Sequence, residues 1–256
     1  MHMQKVCLVL GAGRGIGATV AEKFALEGFH SHLCRRSDAE GLQYSIDKIQ
    51  SKGATATGEL VNAIDDGSIE QVIQSVENNT GPIEVLIYNL GAQSGMKLLN
   101  ETSLKEFEWG WRMASLGLFR AAKVLCPLMA ERGSGTIITT SATAAMRGNK
   151  NQHSHSAAMG SRRMLCQALN AEFAEKGIHI LHVIIDGMVD APDTLGKMLG
   201  DDQFQKLRDT MGAKDGLILP EKVAEAFYYL HAQHRSTWTH ELDLRSYSDL
   251  AWWNHN

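Results

Sequence analysis

The segment Gly11-Ala12-Gly13-Arg14-Gly15-Ile16-Gly17 constrains this chain more than any other. It lies between the apolar run 5–10 and a helical pattern over 16–27, in which Ala18, Val20, Ala21 and Phe24 recur at helical spacing and Gly28 marks the stop. Gly11 can take a turn geometry that a side chain would obstruct. Gly15 lets backbone amides come close to a phosphate, and Gly17 lets the helix pack closely on the strand. The amides at the start of such a helix carry partial positive charge and lack intrahelical partners, which suits an anion. A tight turn with no ligand is the plain alternative, but three spaced glycines exceed what a turn requires.

The rest of the chain alternates in the same way. Strand-length apolar runs are predicted at 29–34, 55–61, 85–88, 135–140, 178–185 and 238–244, and helices at 38–52, 66–79, 103–132 (broken near Gly117), 154–176 and 221–233. Strands this short and apolar, separated by helices, indicate a parallel sheet covered on both faces. The expectation is an α/β chain with a single Rossmann-type, doubly wound domain over 1–256 and no internal boundary. Composition agrees: 44% hydrophobic and 21% charged residues, with a net charge of −4 and no basic run, argue against nucleic acid or an anionic membrane as a partner. No apolar stretch approaches the ~20 residues of a spanning helix, and the first residues lack signal-peptide character. Cys7, Cys34, Cys126 and Cys166 lie far apart in apolar segments and read as buried thiols of a cytoplasmic protein.

The end of the second strand bears on which dinucleotide the loop would hold. An acidic residue there would bind a ribose 2′-hydroxyl; this chain has Arg35 and Arg36, with Arg14 in the glycine loop. Guanidinium groups match a 2′-phosphate, so the reading favours NADP(H) over NAD(H). The alternative, that Arg35 and Arg36 are solvated surface residues, stays open.

These motifs, with Gly81-Pro82-Ile83, the run Asn89-Leu90-Gly91 after the fourth strand, the stretch from Ser141 to Gly148 and the ending from Thr239 to Arg245, resemble the short-chain dehydrogenase/reductase family over nearly the whole chain. The resemblance implies a seven-stranded parallel sheet and an NAD(P)-linked oxidoreductase of small carbonyl or alcohol substrates, assembled as a homodimer or homotetramer. It places Gly11, Gly13, Arg14, Gly15, Ile16, Gly17, Arg35, Arg36, Asn62, Asn89, Gly91 and Gly187 at the cofactor. It also implies a catalytic Asn, Ser, Tyr and Lys. Aligned position by position, these fall on Ala114, Ala142, His155 and Met159, so all four groups are replaced. Asp186 stands for the proline before Gly187, and Ala191 for a nicotinamide-contacting threonine.

His155 is the natural substitute for a tyrosine acid, because an imidazole titrates near ~6.5; a neutral polar cleft residue is the equal alternative. Ser141, beside Ala142, is the candidate hydroxyl. A Ser141–His155–Asp186 triad is conceivable, but triads are defined by geometry. No histidine pattern supports a metal site; His153 and His155 lack a third ligand, and His231 and His234 read as lone surface histidines. Tyr88 is read as core. The segment 190–216 is expected to cover the substrate side as an adaptable lid rich in Met and Leu. Three functions remain in view: an atypical NADP(H) oxidoreductase, a cofactor-binding protein without redox turnover, and a non-redox isomerase or cyclase using His155.

Overall fold

The computed structural model describes residues 4–91 and 96–254. β1 (Val6–Leu10) is buried along its whole length, as an apolar strand covered on both sides must be. It leads through the glycine turn into α1 (Ile16–Leu26), followed by β2 (His30–Arg35), α2 (Ala39–Ser51), β3 (Thr55–Leu60), α3 (Ser68–Asn79) and β4 (Ile83–Tyr88). The second half runs α4 (Leu104–Trp111), α5 (Gly117–Arg132), β5 (Gly135–Ala142), α6 (His153–Phe173), β6 (Ile178–Asp186), α7 (Lys197–Leu199), α8 (Asp201–Met211), α9 (Pro220–His231) and β7 (Glu241–Arg245).

The seven strands form one sheet in the order β3-β2-β1-β4-β5-β6-β7, and every pairing is parallel. Two apolar layers flank it. One contains α3, α5 and α6, and the other α1, α2 and α9. The order reverses between β1 and β4, so the crevice for a ligand opens beyond their carboxyl ends. The seven-stranded Rossmann-type sheet expected from the sequence is therefore the observed one.

Three local expectations change. The helix expected to break near Gly117 continues instead, through the π-helical turn Arg112–Leu116. Gly117 is there for another reason: a Cβ on it would lie 2.2 Å from the Tyr88 hydroxyl, which passes over it to reach Met113 O at 2.5 Å. His231 is not a lone surface residue. It is half-buried against Phe24 and Phe29, and its Nδ1 pairs with Thr136 Oγ1 at 2.9 Å. The last strand starts at Glu241 rather than 238, since Trp238 stacks on His179 with ring centres 4.7 Å apart.

The continuous run Leu104–Arg132 is long and apolar enough to cross a membrane, contrary to the reading from apolar stretches alone. It is a core helix here, more than half buried against the sheet and α6. The four cysteines are buried and unpaired, as expected.

Candidate functional site

The glycine loop closes the carboxyl end of β1. Gly11 has φ +96°, a conformation L side chains rarely adopt, and a Cβ on it would meet Asn89 O at 2.6 Å. Gly17 sits so close to the turn that a Cβ would lie 2.1 Å from Gly11 O. Asn89, at the end of β4, locks the two strand ends together by donating from Nδ2 to Gly11 O at 2.9 Å. Gly91 and Gly187 are exposed, just after β4 and β6 respectively. Ile16 and Gly17 are buried in the first turn of α1. That helix begins without a side-chain cap and without an acidic residue in its first turn. Its free amides therefore suit a phosphate.

A carboxylate of the chain itself already shows what these donors accept. Asp193, in the π-helical turn Pro192–Gly196, lies over the loop with its side chain 7% exposed. It accepts from the Arg14 amide at 2.7 Å, from Arg14 Nε and Nη2 at 3.2 and 3.1 Å, and from Arg35 Nη2 at 2.8 Å. Lys197 Nζ stands 3.3 Å away. Burial works against this carboxyl's charge, but the Arg14 amide and guanidinium, Arg35 and Lys197 outweigh it and hold its pKa down at about 2. Arg35 is buried at the end of β2 and also pairs with Asp38, whereas Arg36 is exposed. Gly13 turns toward this carboxylate, and Ala191 fills the space a Gly15 side chain would take.

Asn62 lies just after β3. Its Nδ2 donates to Asp65 at 2.8 Å, while its Oδ1 is buried with no hydrogen-bond partner among the described residues. A free buried acceptor fits the exocyclic amine of an adenine. The loop, α1, Arg14, Arg35 and Asn62 thus form a donor and acceptor set suited to NAD(P).

The candidate catalytic positions lie on β5, the π-helical turn and α6, which starts beside the turn after β5. Ala114 is fully buried within the Arg112–Leu116 turn. Ala142 ends β5, and His155 is half-buried in the first turn of α6. Met159 is 2% exposed, and the hydroxyl of Ser141 turns to its sulfur at 3.8 Å. Asp186 is likewise engaged, accepting from the Trp252 amide at 3.0 Å. Ser141 and Asp186 thus have separate partners, and a triad with His155 is not what their bonds describe.

Sequence reasoning missed two residues here. Asp193 is the first. The second is Arg162, on the same face of α6 as His155 and Met159 at i, i+4 and i+7. It is 1% exposed and has no carboxylate partner among the described residues. Its guanidinium donates to Ala114 O at 3.0 Å, Thr140 O at 2.6 Å and Leu90 O at 2.7 Å, and lies 5.2 Å from the Tyr88 ring centre. An arginine in line with Ala158, Met159, Cys166 and Leu169 on one face of α6 was the available signal. Tyr88 is core, as read, and burial pushes its hydroxyl pKa up.

Comparison with known proteins agrees with this geometry. The family model described as short chain dehydrogenase matches residues 5–198. A 3-oxoacyl-(acyl-carrier-protein) reductase of Escherichia coli is 29% identical over 201 residues, 78% of each chain. An uncharacterized oxidoreductase of Bacillus subtilis is 25% identical over 93% of this chain and 88% of its own. A short-chain dehydrogenase structure from Rhodopseudomonas palustris superposes with TM-score 0.79 and 28% identity, covering 96% of this chain and all of that one. An actinorhodin polyketide ketoreductase with NADPH superposes with TM-score 0.83 and 25% identity, over 95% and 96% of the two chains.

Proposed function

Since the chain belongs to the short-chain dehydrogenase family, we propose that it is an NADP(H)-dependent oxidoreductase of a small carbonyl or alcohol substrate in which His155 handles the proton. The observation that supports this reading is that the glycine loop, whose donors already hold an anion, and α6, which carries His155, are both bonded to the segment after β4: Asn89 donates to Gly11 O and Leu90 O accepts from Arg162. When bound, the dinucleotide supplies or takes the hydride. In the reducing direction His155 gives a proton to the substrate oxygen, and in the oxidising direction it takes one back. Gly11, Gly15, Gly17 and the start of α1 hold the pyrophosphate. Asn62 receives adenine, and Arg14 with Arg35 favours the 2′-phosphate of NADP(H) over NAD(H). The segment 190–216 covers the substrate side, and a second copy of the chain completes a homodimer or homotetramer.

The test is turnover. NADPH absorbance followed over a panel of ketones and aldehydes should reveal a substrate class, and His155→Ala should slow it by about 10²- to 10⁴-fold while NADPH still binds. Unchanged turnover in that variant removes His155 from the chemistry.

One observation favours a second reading, cofactor binding without redox turnover. The lysine position is a buried methionine that offers the ribose no donor. NADPH binding by fluorescence titration with no turnover on any carbonyl would select it.

A further inference from the structure

We propose that Asp193 is the resident anion of the phosphate site and sets its preference between dinucleotides: a 2′-phosphate reaches Arg14 and Arg35 only by displacing this carboxylate. The inference rests on the cofactor reading above and deepens it. Asp193 Oδ2 bridges two donors that lie far apart in the sequence, the Arg14 amide in the glycine loop and Arg35 Nη2 at the end of β2. Oδ1 takes the Arg14 guanidinium and Lys197. A nearly buried carboxylate with four positively polarised neighbours does what a phosphate oxygen would do in the same place. Arg35 Nη1 is buried with no hydrogen-bond partner among the described residues, so the guanidinium still has a donor to give.

Two carboxylates share Arg35, and their situations differ. Asp38 is committed to its own helix: it caps α2 with a left-handed backbone at φ 72° and accepts from the Gly41 amide at 2.9 Å. Asp193 rides on a five-residue π-helical turn followed by the three residues of α7, with Gly196 and Gly200 at the joints. The turn carries no other polar side chain bonded to the sheet among the described residues, so Asp193 is the member that can leave. Its departure would carry 192–197 away from the loop. A dinucleotide lacking the 2′-phosphate brings no dianion to Arg14 and Arg35 and would leave Asp193 in place.

The experiment uses adenosine 2′,5′-bisphosphate and adenosine 5′-phosphate as probes, titrated into the full chain by calorimetry, with hydrogen exchange of 190–200 read in the same samples. In the native protein, binding of the bisphosphate should speed exchange in 192–197, and the monophosphate should not. Asp193→Asn should tighten the bisphosphate by about tenfold or more, because a like charge is removed from its site, and change the monophosphate by less than about twofold. Asp193→Ser removes the same charge and should tighten the bisphosphate likewise; it keeps the idea testable if Asp193→Asn folds poorly.

If the bisphosphate binds but exchange at 192–197 is unchanged or slowed, or if Asp193→Asn weakens its binding, the carboxylate organises the site instead of occupying it and the inference falls alone. If neither probe binds either protein, the cofactor reading falls and takes this one with it.

Discussion

Arg162 shows how much one residue can decide in this site. Its cation lies within the fold, where it donates to three carbonyl oxygens and faces the Tyr88 ring, and burial lowers its pKa. A buried cation is tolerated only when its donors are used, and three of them tie the end of β4, the π-helical turn and β5 to α6. Those are the segments that carry Leu90, Ala114 and Thr140, beside the positions where the family keeps its reactive groups. Arg162→Ala leaves three carbonyls short of a partner and opens a cavity, so it should destabilise the fold by about 3–5 kcal/mol in urea denaturation. Arg162→Lys should recover only part of that, since one ammonium cannot span the planar fork. Full recovery by lysine would mean that charge alone matters.

At the scale of elements, β6 and β7 meet through buried histidine. His182 has a fully buried side chain, its Nδ1 is 3.0 Å from Glu241 Oε2, and Arg163 clamps the same carboxylate at 2.6 and 2.9 Å. Burial drives the His182 pKa down to about 4, against the pull of Glu241 toward the charged form. Burial also lowers His30, His32, His179 and His231. Between about 4 and the ordinary histidine value of ~6.5 the unfolded chain binds a proton that the folded chain does not, so stability is complete above that range and falls as pH drops through it. The urea midpoint should therefore decline from pH 7 to pH 4.5. His182→Gln should flatten that decline noticeably; an unaltered slope would show that His182 does not titrate with unfolding.

The π-helical turns belong to this scale too. Arg112–Leu116 turns Met113 O to Tyr88 and Ala114 O to Arg162, and Pro192–Gly196 carries Asp193 to Arg14 and Arg35; irregular turns of this kind recur at functional sites.

At the scale of the whole molecule, one outer face stays apolar. Leu104, Phe107 and Trp111 follow one another at i, i+3 and i+7 along α4, and Phe119 continues the surface on α5; Leu104 is 89% exposed. Apolar side chains gathered in this way suit contact with another protein, and the proposed homo-oligomer would seat a second copy there. Light scattering should give a dimer or tetramer, and Phe107→Lys with Trp111→Glu should shift it toward monomer while the far-ultraviolet spectrum is kept. A monomer in the native protein at tens of micromolar would remove the assembly from the proposal.

The order of strands and helices along the chain and the glycine turn were written in the sequence, because apolar runs of strand length and a glycine spacing are local signals that need no partner to be read. The residues themselves, Ala114, Ala142, His155 and Met159, were legible in the same way, and the replacement of the family's Asn, Ser, Tyr and Lys by them is the alignment that the proposed function rests on. What the sequence could not hold is which distant groups meet. Arg14 and Arg35 were visible as cations for a phosphate, yet their contact with Asp193 spans 179 and 158 positions and exists only once the turn after β6 folds back on the glycine loop. Gly117 read as a helix break because the hydroxyl it makes room for comes from β4. Arg162 read as one more helical residue until three carbonyls from three elements converged on it. Pattern along the chain fixes what an element is, but charge compensation and close contact depend on neighbours that only the closed sheet supplies.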